Sequence, residues 1–350
     1  MKTTSFDDRQ CVSRETLKRL QERTDVPAYV RLTVQFSLIA ALLSVLLFAR
    51  FENTWFFVFT AVILGLVQAT LFAPLHECTH LTAFRSRKAN QAVAWLSGFA
   101  LLWTPASYRE FHFEHHRHTH DPNRDPEIAL GGESFANWPV RMHEYFALAS
   151  GLLLLVMRLL MILVPAAGVP DSVWSKLAPH VRPRARRKIV WESRLVLLLY
   201  VGSAVLAVNW MPRLGYLLVS LFVAHSFLAL YLASEHTGCE MTGNILNRTR
   251  TVISNRLMRF FMWNLPYHSE HHAYPSIPFY CLPQLHEALH DDLVYVDPGY
   301  CKLHGRVIGK IFRKQDSSEL ARHQQAERIN PNDQPRDRTD TESSASNPTI

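Results

Sequence analysis

The chain has 350 residues, 48% of them hydrophobic and 19% charged, with a formal net charge of +7. Its mean hydropathy is near zero because long apolar runs alternate with polar, histidine-rich stretches. Apolar runs of about twenty residues exclude an ordinary soluble globule and, outside the C-terminus, a disordered chain. The basic balance suits contact with an anionic membrane surface, and no compact basic-aromatic module points to nucleic acid.

Residues 1–29 are polar and basic, with Lys2, Arg9, Arg14, Lys18, Arg19 and Arg23. They contain no short apolar core followed by a small-residue cleavage site, so no cleavable signal peptide is expected. Apolar runs then follow at 30–49 and 54–75. At roughly 1.5 Å per residue each is long enough for a hydrocarbon core of about 30 Å. The stretch 92–103 is too short to cross and is expected in the interface. Three more apolar segments lie at 144–164, 194–210 and 214–234, the last two joined by a tight turn at 211–213. The linker before 194 carries Arg182, Arg184, Arg186, Arg187 and Lys188, which the positive-inside rule assigns to the cytoplasm, together with the N-terminus.

Parity decides the topology. Histidine clusters on both sides of 144–234 can share one site only if an even number of crossings separates them. The segment 144–164 contains Arg158 and precedes the basic linker, so it is expected to be re-entrant or to lie flat. The expected fold is an all-α, multi-pass integral membrane protein of the cell inner membrane. It has four transmembrane helices, re-entrant or interfacial helices, and a histidine-rich cap facing the cytoplasm. The membrane domain covers 30–314, between a cytosolic segment 1–29 and a polar, disordered tail 315–350.

Five cysteines lie at Cys11, Cys78, Cys239, Cys281 and Cys301 without a CxxC pair, which argues against a disulfide framework and for a reducing setting. The eighteen histidines are clustered. His76-Glu77-Cys78-Thr79-His80 follows the second span. His112, His115, His116, His118 and His120 follow the interfacial stretch, Glu235-His236 ends the last span, and His268, His271 and His272 come later. On a helix, positions i, i+3 and i+4 share a face, so each cluster is expected to present two or three imidazoles to one point. Neutral imidazole binds iron, zinc, copper or nickel. Eight histidines, with His236 as a ninth, exceed the needs of one zinc and suggest two metals.

His118 and His120 are surplus to this spacing and are expected to be outer-layer or solvated. His143, His180, His286, His290, His304 and His323 read as surface residues. His225 shares a helical face with His236 but lies roughly 16 Å deeper; it lines a substrate channel or bonds a neighbouring helix. Asp125 and Glu127 are the best candidates to orient a ligand histidine from behind, against the alternative of an Asp-Pro turn with solvated charges. Asn264 is a further candidate to orient a ligand.

The three boxes HxxxH, HxxHH and HxxHH, here His76 to His80, His112 to His116 and His268 to His272, resemble those of the membrane fatty acid desaturase superfamily. The flanks HHRHTHDPNRDPE and WNLPYHSEHHAYPSIPFYCLPQLH are similar to that family's second and third boxes, and the likeness covers roughly 30–290. His118 departs from the family, where an aromatic residue is common. The resemblance implies a four-span helical body and a cytosolic di-iron cap with two Fe(2+) held by His76, His80, His112, His115, His116, His268, His271 and His272; His236 matches a further ligand position. It implies O2-dependent desaturation of an acyl lipid, or hydroxylation or ketolation of an acyl lipid, alkane or carotenoid. No fused cytochrome or Cys-rich iron–sulfur motif is present in these residues, so a separate ferredoxin- or rubredoxin-like electron donor is expected. Two readings compete. His76-Glu77-Cys78-Thr79-His80 also fits the H-E-x-x-H pattern of zinc metalloproteases, which leaves the other clusters unexplained. A scaffold or metal transporter would place its ligands near the membrane midplane, whereas these clusters lie outside the spans.

Overall fold

Four helical stretches are long and apolar enough to cross a membrane in the computed structural model, which describes residues 12–50, 53–129 and 136–313: Val26–Phe48, Thr54–His80, Pro183–Asn209 and Pro212–His236. The expected tail at 315–350 lies outside the described residues. Before the first span, α1 covers Arg14–Leu20, capped by Ser13. α2, Val26–Phe48, starts earlier than the apolar run because Pro27 presets its first turn. The second span is α3, Thr54–Ala69, continued by α4, Phe72–His80. α5, Arg87–Ala100, packs along α4 and is followed by α6, Pro105–His118.

The segment expected to be re-entrant is a bent pair, α7 (Met142–Ala149) and α8 (Leu152–Ala166), meeting at 46°. Gly151 makes the break. Its φ of +66° suits glycine, and a Cβ there would collide with the backbone of His225. After α9, Asp171–Leu177, α10 runs Pro183–Asn209 and so begins within the basic linker, well before the apolar run. A 3-10 turn at Pro212–Tyr216 leads into α11, Leu217–His236. Beyond it lie β1 (Arg250–Val252), α12 (Arg256–Phe261), α13 (His268–Ala273), α14 (Leu282–Leu289), β2 (Tyr295–Asp297) and α15 (Tyr300–Arg313). β1 and β2 pair in parallel, with Thr251 opposite Val296.

Small and polar residues join the spans, because apolar burial supplies little drive between helices in lipid. Gly65 of α3 lets α11 approach so closely that a Cβ would meet the Ser220 carbonyl, and the Ser220 hydroxyl donates to Gln68 at 3.0 Å. Gln35, buried in α2, donates to the Thr70 hydroxyl and the Phe261 carbonyl and accepts from Trp263 Nε1. One side chain thus ties two spans to the approach of the third histidine box. Exposed Leu198, Val201, Val208 and Leu218 form part of an apolar outer belt.

The N-terminal segment is part of the body. Val12, Leu20 and Ala28 are buried in the main core, and Tyr280 accepts from Thr24 N–H and donates to the Glu22 carbonyl.

Candidate metal centre

α4 ends on His80 because Leu81 turns left-handed at φ +63°, which leaves His76 and His80 one turn apart on the same side. α6 enters through Thr104, whose hydroxyl caps Ser107, with Pro105 in the first turn. α13 is positioned by a left-handed pair, Trp263 and Asn264. The Asn264 side chain donates to the Phe279 carbonyl and its own carbonyl accepts from Tyr267 N–H. Its bonds therefore shape the turn before the third box and do not reach a ligand histidine.

The nine expected histidines converge, but they divide across the boxes and not by box. His76, His80, His112, His116 and His271 form one set; His115, His236, His268 and His272 form the other. The reason is helical geometry. Successive residues are about 100° apart, so i and i+4 nearly superpose while i+3 is rotated away from i+4 by one such step. On α6, His112 and His116 face the first set and His115 the second. On α13, His268 and His272 face the second and His271 the first. The sets touch where the His116 and His272 rings stack at 4.1 Å.

In the first set Nε2 of His112 lies 2.7 Å from Nε2 of His80 and 3.1 Å from that of His116, while His271 and His116 are 3.2 Å apart. In the second, Nε2 of His236 lies 3.1 Å from His115 and 2.8 Å from His268. Such separations are near the edges of a coordination polyhedron with metal–nitrogen bonds of about 2.1 Å. Burial and then the neighbouring imidazoles hold His112, His116, His268, His271 and His272 far below their usual pKa, so they are neutral. Neutral rings that all aim a lone pair at one point cannot satisfy each other by hydrogen bonding. Both ring nitrogens of His76, and Nε2 of His272, are buried without a hydrogen-bond partner among the described residues. The residues fit two transition-metal ions.

The outward nitrogens of the second set each meet an oxygen. His115 Nδ1 lies 3.0 Å from both Asp125 oxygens and 3.2 Å from Glu127; His236 Nδ1 donates to the Arg248 carbonyl at 2.9 Å. His268 Nδ1 is 3.3 Å from Glu235, and His272 Nδ1 is 3.2 Å from the Thr119 hydroxyl. The bonded partners of His115, His236 and His272 fix the Nδ1–H tautomer and turn the Nε2 lone pair inward, whereas His268 and Glu235 are close without a hydrogen bond. Burial would lower the pKa of His115, but Asp125 and Glu127 outweigh it and raise it to about 9, so a metal ion binding at Nε2 displaces a proton there while Nδ1–H stays on the carboxylates. Asp125 also accepts from His120 N–H and Glu127 N–H, so the turn and the ligand share one carboxylate.

His120 is buried and left-handed, its Nδ1 donating to the Glu240 carbonyl and its ring 6.1 Å from His236. His118 stays partly exposed and pairs with Glu114. His286 and His304 are not surface residues. His286 pairs with buried Glu270, and His304 bridges Tyr145 and Ser234. Glu270 also accepts from Thr251, so it anchors α13 to β1 from behind. Glu235 was visible in the sequence beside His236, but only the fold carries it to His268. Arg250 holds the end of α11 by donating to the Ser234 and Thr237 carbonyls, and pairs with buried Asp297 at 3.0 Å. His225 donates from Nδ1 to the Leu221 carbonyl of its own helix. Glu77 accepts from the Thr82 hydroxyl, and its other oxygen is 3.5 Å from His76 Nδ1. The metalloprotease reading uses His76 and His80 alone and leaves the other seven histidines of the two sets unexplained.

Comparison with known proteins agrees with the histidine geometry. The chain is 28% identical over 226 residues to the sphingolipid delta(4)-desaturase/C4-monooxygenase of Homo sapiens, covering 63% of this chain and 61% of that protein. It is 27% identical over 218 residues to the zeaxanthin 4-ketolase of Chlamydomonas reinhardtii, covering 61% and 40%. It is 22% identical over 245 residues to a delta(5) fatty acid desaturase of Caenorhabditis elegans, covering 63% and 54%. The match to the human relative thus spans about three-fifths of that protein's length. The family model for fatty acid desaturases matches residues 53–304, which contain both histidine sets, and the chain belongs to that family.

Proposed function

We propose that this protein is an O2-dependent, di-iron membrane oxidoreductase that introduces a double bond into a fatty acyl chain of a lipid. One observation carries the reading: nine imidazoles form two touching sets of five and four, with His76, His80 and His236 at the ends of apolar spans. Two irons held there would activate O2, which is the oxidant that removes hydrogen from an unactivated C–H bond. The protein's own residues do the rest. His76, His80, His112, His116 and His271 hold one ion and His115, His236, His268 and His272 the other. Asp125 and Glu127 hold a proton on His115 Nδ1, and the Arg248 carbonyl and Thr119 hydroxyl do so for His236 and His272, so that the inward nitrogens are turned to bind. The surrounding side chains bury the sets and exclude water.

The electron balance requires a donor. Forming a double bond removes two electrons and two protons from the substrate, and reducing O2 to two waters takes two more of each. A ferredoxin- or rubredoxin-like carrier delivers those electrons. The basic end of the bundle supports a cytoplasmic location for the sets, within the inner membrane. Arg23 donates to the Leu81 carbonyl beside His80, and Arg182 donates to Glu110 on α6. Residues 30–314 act as the membrane domain.

Hydroxylation or ketolation at the same site is the second reading, because the similar human and algal proteins are named a monooxygenase and a ketolase. Expression in a bacterial host with a ferredoxin system, followed by lipid mass spectrometry, separates the two. Desaturation gives a lipid lighter by two hydrogens that is absent with His268→Ala; a product heavier by one oxygen establishes the second reading. Unchanged lipids, with acyl, alkane and carotenoid substrates all supplied, would overturn both.

A further inference from the structure

Three polar side chains beside the first histidine set are not used by the metal sites. Arg158, in the middle of α8, is buried within electrostatic reach of the Glu127 carboxylate, yet both its terminal nitrogens make no hydrogen bond among the described residues. Its guanidinium lies over the Trp103 ring at 3.1 Å. Trp103 packs edge-on to Tyr108 at 4.4 Å, and Tyr108 stacks on His112 at 5.0 Å. Trp103 Nε1 and the Tyr108 hydroxyl are likewise buried without a partner among the described residues. All three groups offer protons, and a guanidinium and an indole cannot accept one.

Several orphaned donors around one buried cation require an acceptor, because the face of a single indole offsets only part of the cost of desolvating a guanidinium. Buried polar groups without a protein partner mark a place for water, an ion or a ligand. We infer that Arg158, Trp103 and Tyr108 form a substrate subsite that grips an acceptor oxygen, a carboxylate or amide carbonyl, at the polar end of the acyl chain. This deepens the lipid-oxidation reading and rests on it. Tyr108 touches both the subsite and His112, so the grip sets which carbon of the chain reaches the histidines. That carbon lies near the polar end and not in mid-chain.

The test measures equilibrium binding to the iron-loaded full chain in detergent micelles. The probes are radiolabelled hexadecanoate, N-hexadecylacetamide and, as the oxygen-free chain, hexadecane. At least one oxygen-bearing probe is expected to bind more tightly than hexadecane, and which one does so identifies the oxygen. Tyr108→Phe, which deletes one hydroxyl, and Arg158→Met should each weaken that probe by about tenfold, the loss of one good hydrogen bond, and leave hexadecane unchanged. If Arg158→Met does not fold, Tyr108→Phe and Trp103→Phe still decide the matter. Equal binding of all probes, or equal weakening of all probes in the variants, overturns the subsite and leaves water as the occupant. Iron content and lipid turnover report separately on the parent reading. A protein with full iron and turnover but no preference for oxygen refutes the subsite alone; oxygen-selective binding without iron or turnover refutes the parent reading alone.

Discussion

Asp125→Asn isolates the second histidine set without touching a ligand. The carboxylate accepts from His115 Nδ1, His120 N–H and Glu127 N–H while buried. An amide keeps one oxygen near His115 Nδ1 in either flip but loses the negative charge. It also turns an N–H2 group against that nitrogen and against the His120 or Glu127 N–H, so the support that fixes the His115 tautomer is weakened. Loss of such a partner typically costs 10–100-fold in metal affinity or activity, about 1.4–2.8 kcal/mol. Glu127, 3.2 Å from the same nitrogen, can take over part of the role. The single variant is therefore expected at the low end of that range and Asp125→Asn with Glu127→Gln at the high end. Metal analysis after dialysis against a graded chelator reads the effect, with helical content by circular dichroism as the folding control. The first set should retain its iron while the second loses it. Unchanged retention and activity in the double variant would refute the claim that these carboxylates support His115.

His115→Ala and His268→Ala should each abolish turnover while membrane insertion persists; full activity would remove that residue from the ligand set. Gly65→Val should lower stability by about 1–3 kcal/mol, the usual cost of overpacking, because its Cβ meets the Ser220 carbonyl; an unchanged melting temperature would contradict that close packing. Burial would raise the Glu110 pKa, but the hydrogen bonds and charge of Arg182 outweigh it and hold the carboxyl below its usual value. A lowered folded pKa means the contribution is present at neutral pH and is lost as pH falls through that folded value. Glu110→Gln should therefore flatten the acid limb of the stability–pH curve, and a limb identical to that of the native protein would show that the pair does not contribute.

The spans and the site were legible in the sequence to different depths. Apolar runs located the four helices long and apolar enough to cross because hydropathy is local. They misplaced the start of α10, since helix continues through the Arg-rich residues 183–193 where hydropathy is low. Eight of the nine histidines were found by spacing and His236 by its place at the end of the last span, yet their division into five and four was not. Spacing treats i+3 and i+4 as one face, and only the packed positions of α6 and α13 show that the difference sends His115 and His271 to opposite sets. Glu235 and Arg250 act across the fold on His268 and on the end of α11. His286 and His304 read as surface residues because their partners are distant in sequence. Asn264 was judged by its nearness to the third box, whereas its left-handed φ of +56° explains its place in the turn.

Metal stoichiometry of the purified, iron-supplemented protein tests the central claim most directly. Two adjacent imidazole sets predict about two irons per chain, with His271→Ala and His272→Ala, neighbours in sequence, removing iron from different sets in Mössbauer spectra. A single zinc per chain, held by His76 and His80 and unaffected by either variant, would contradict it.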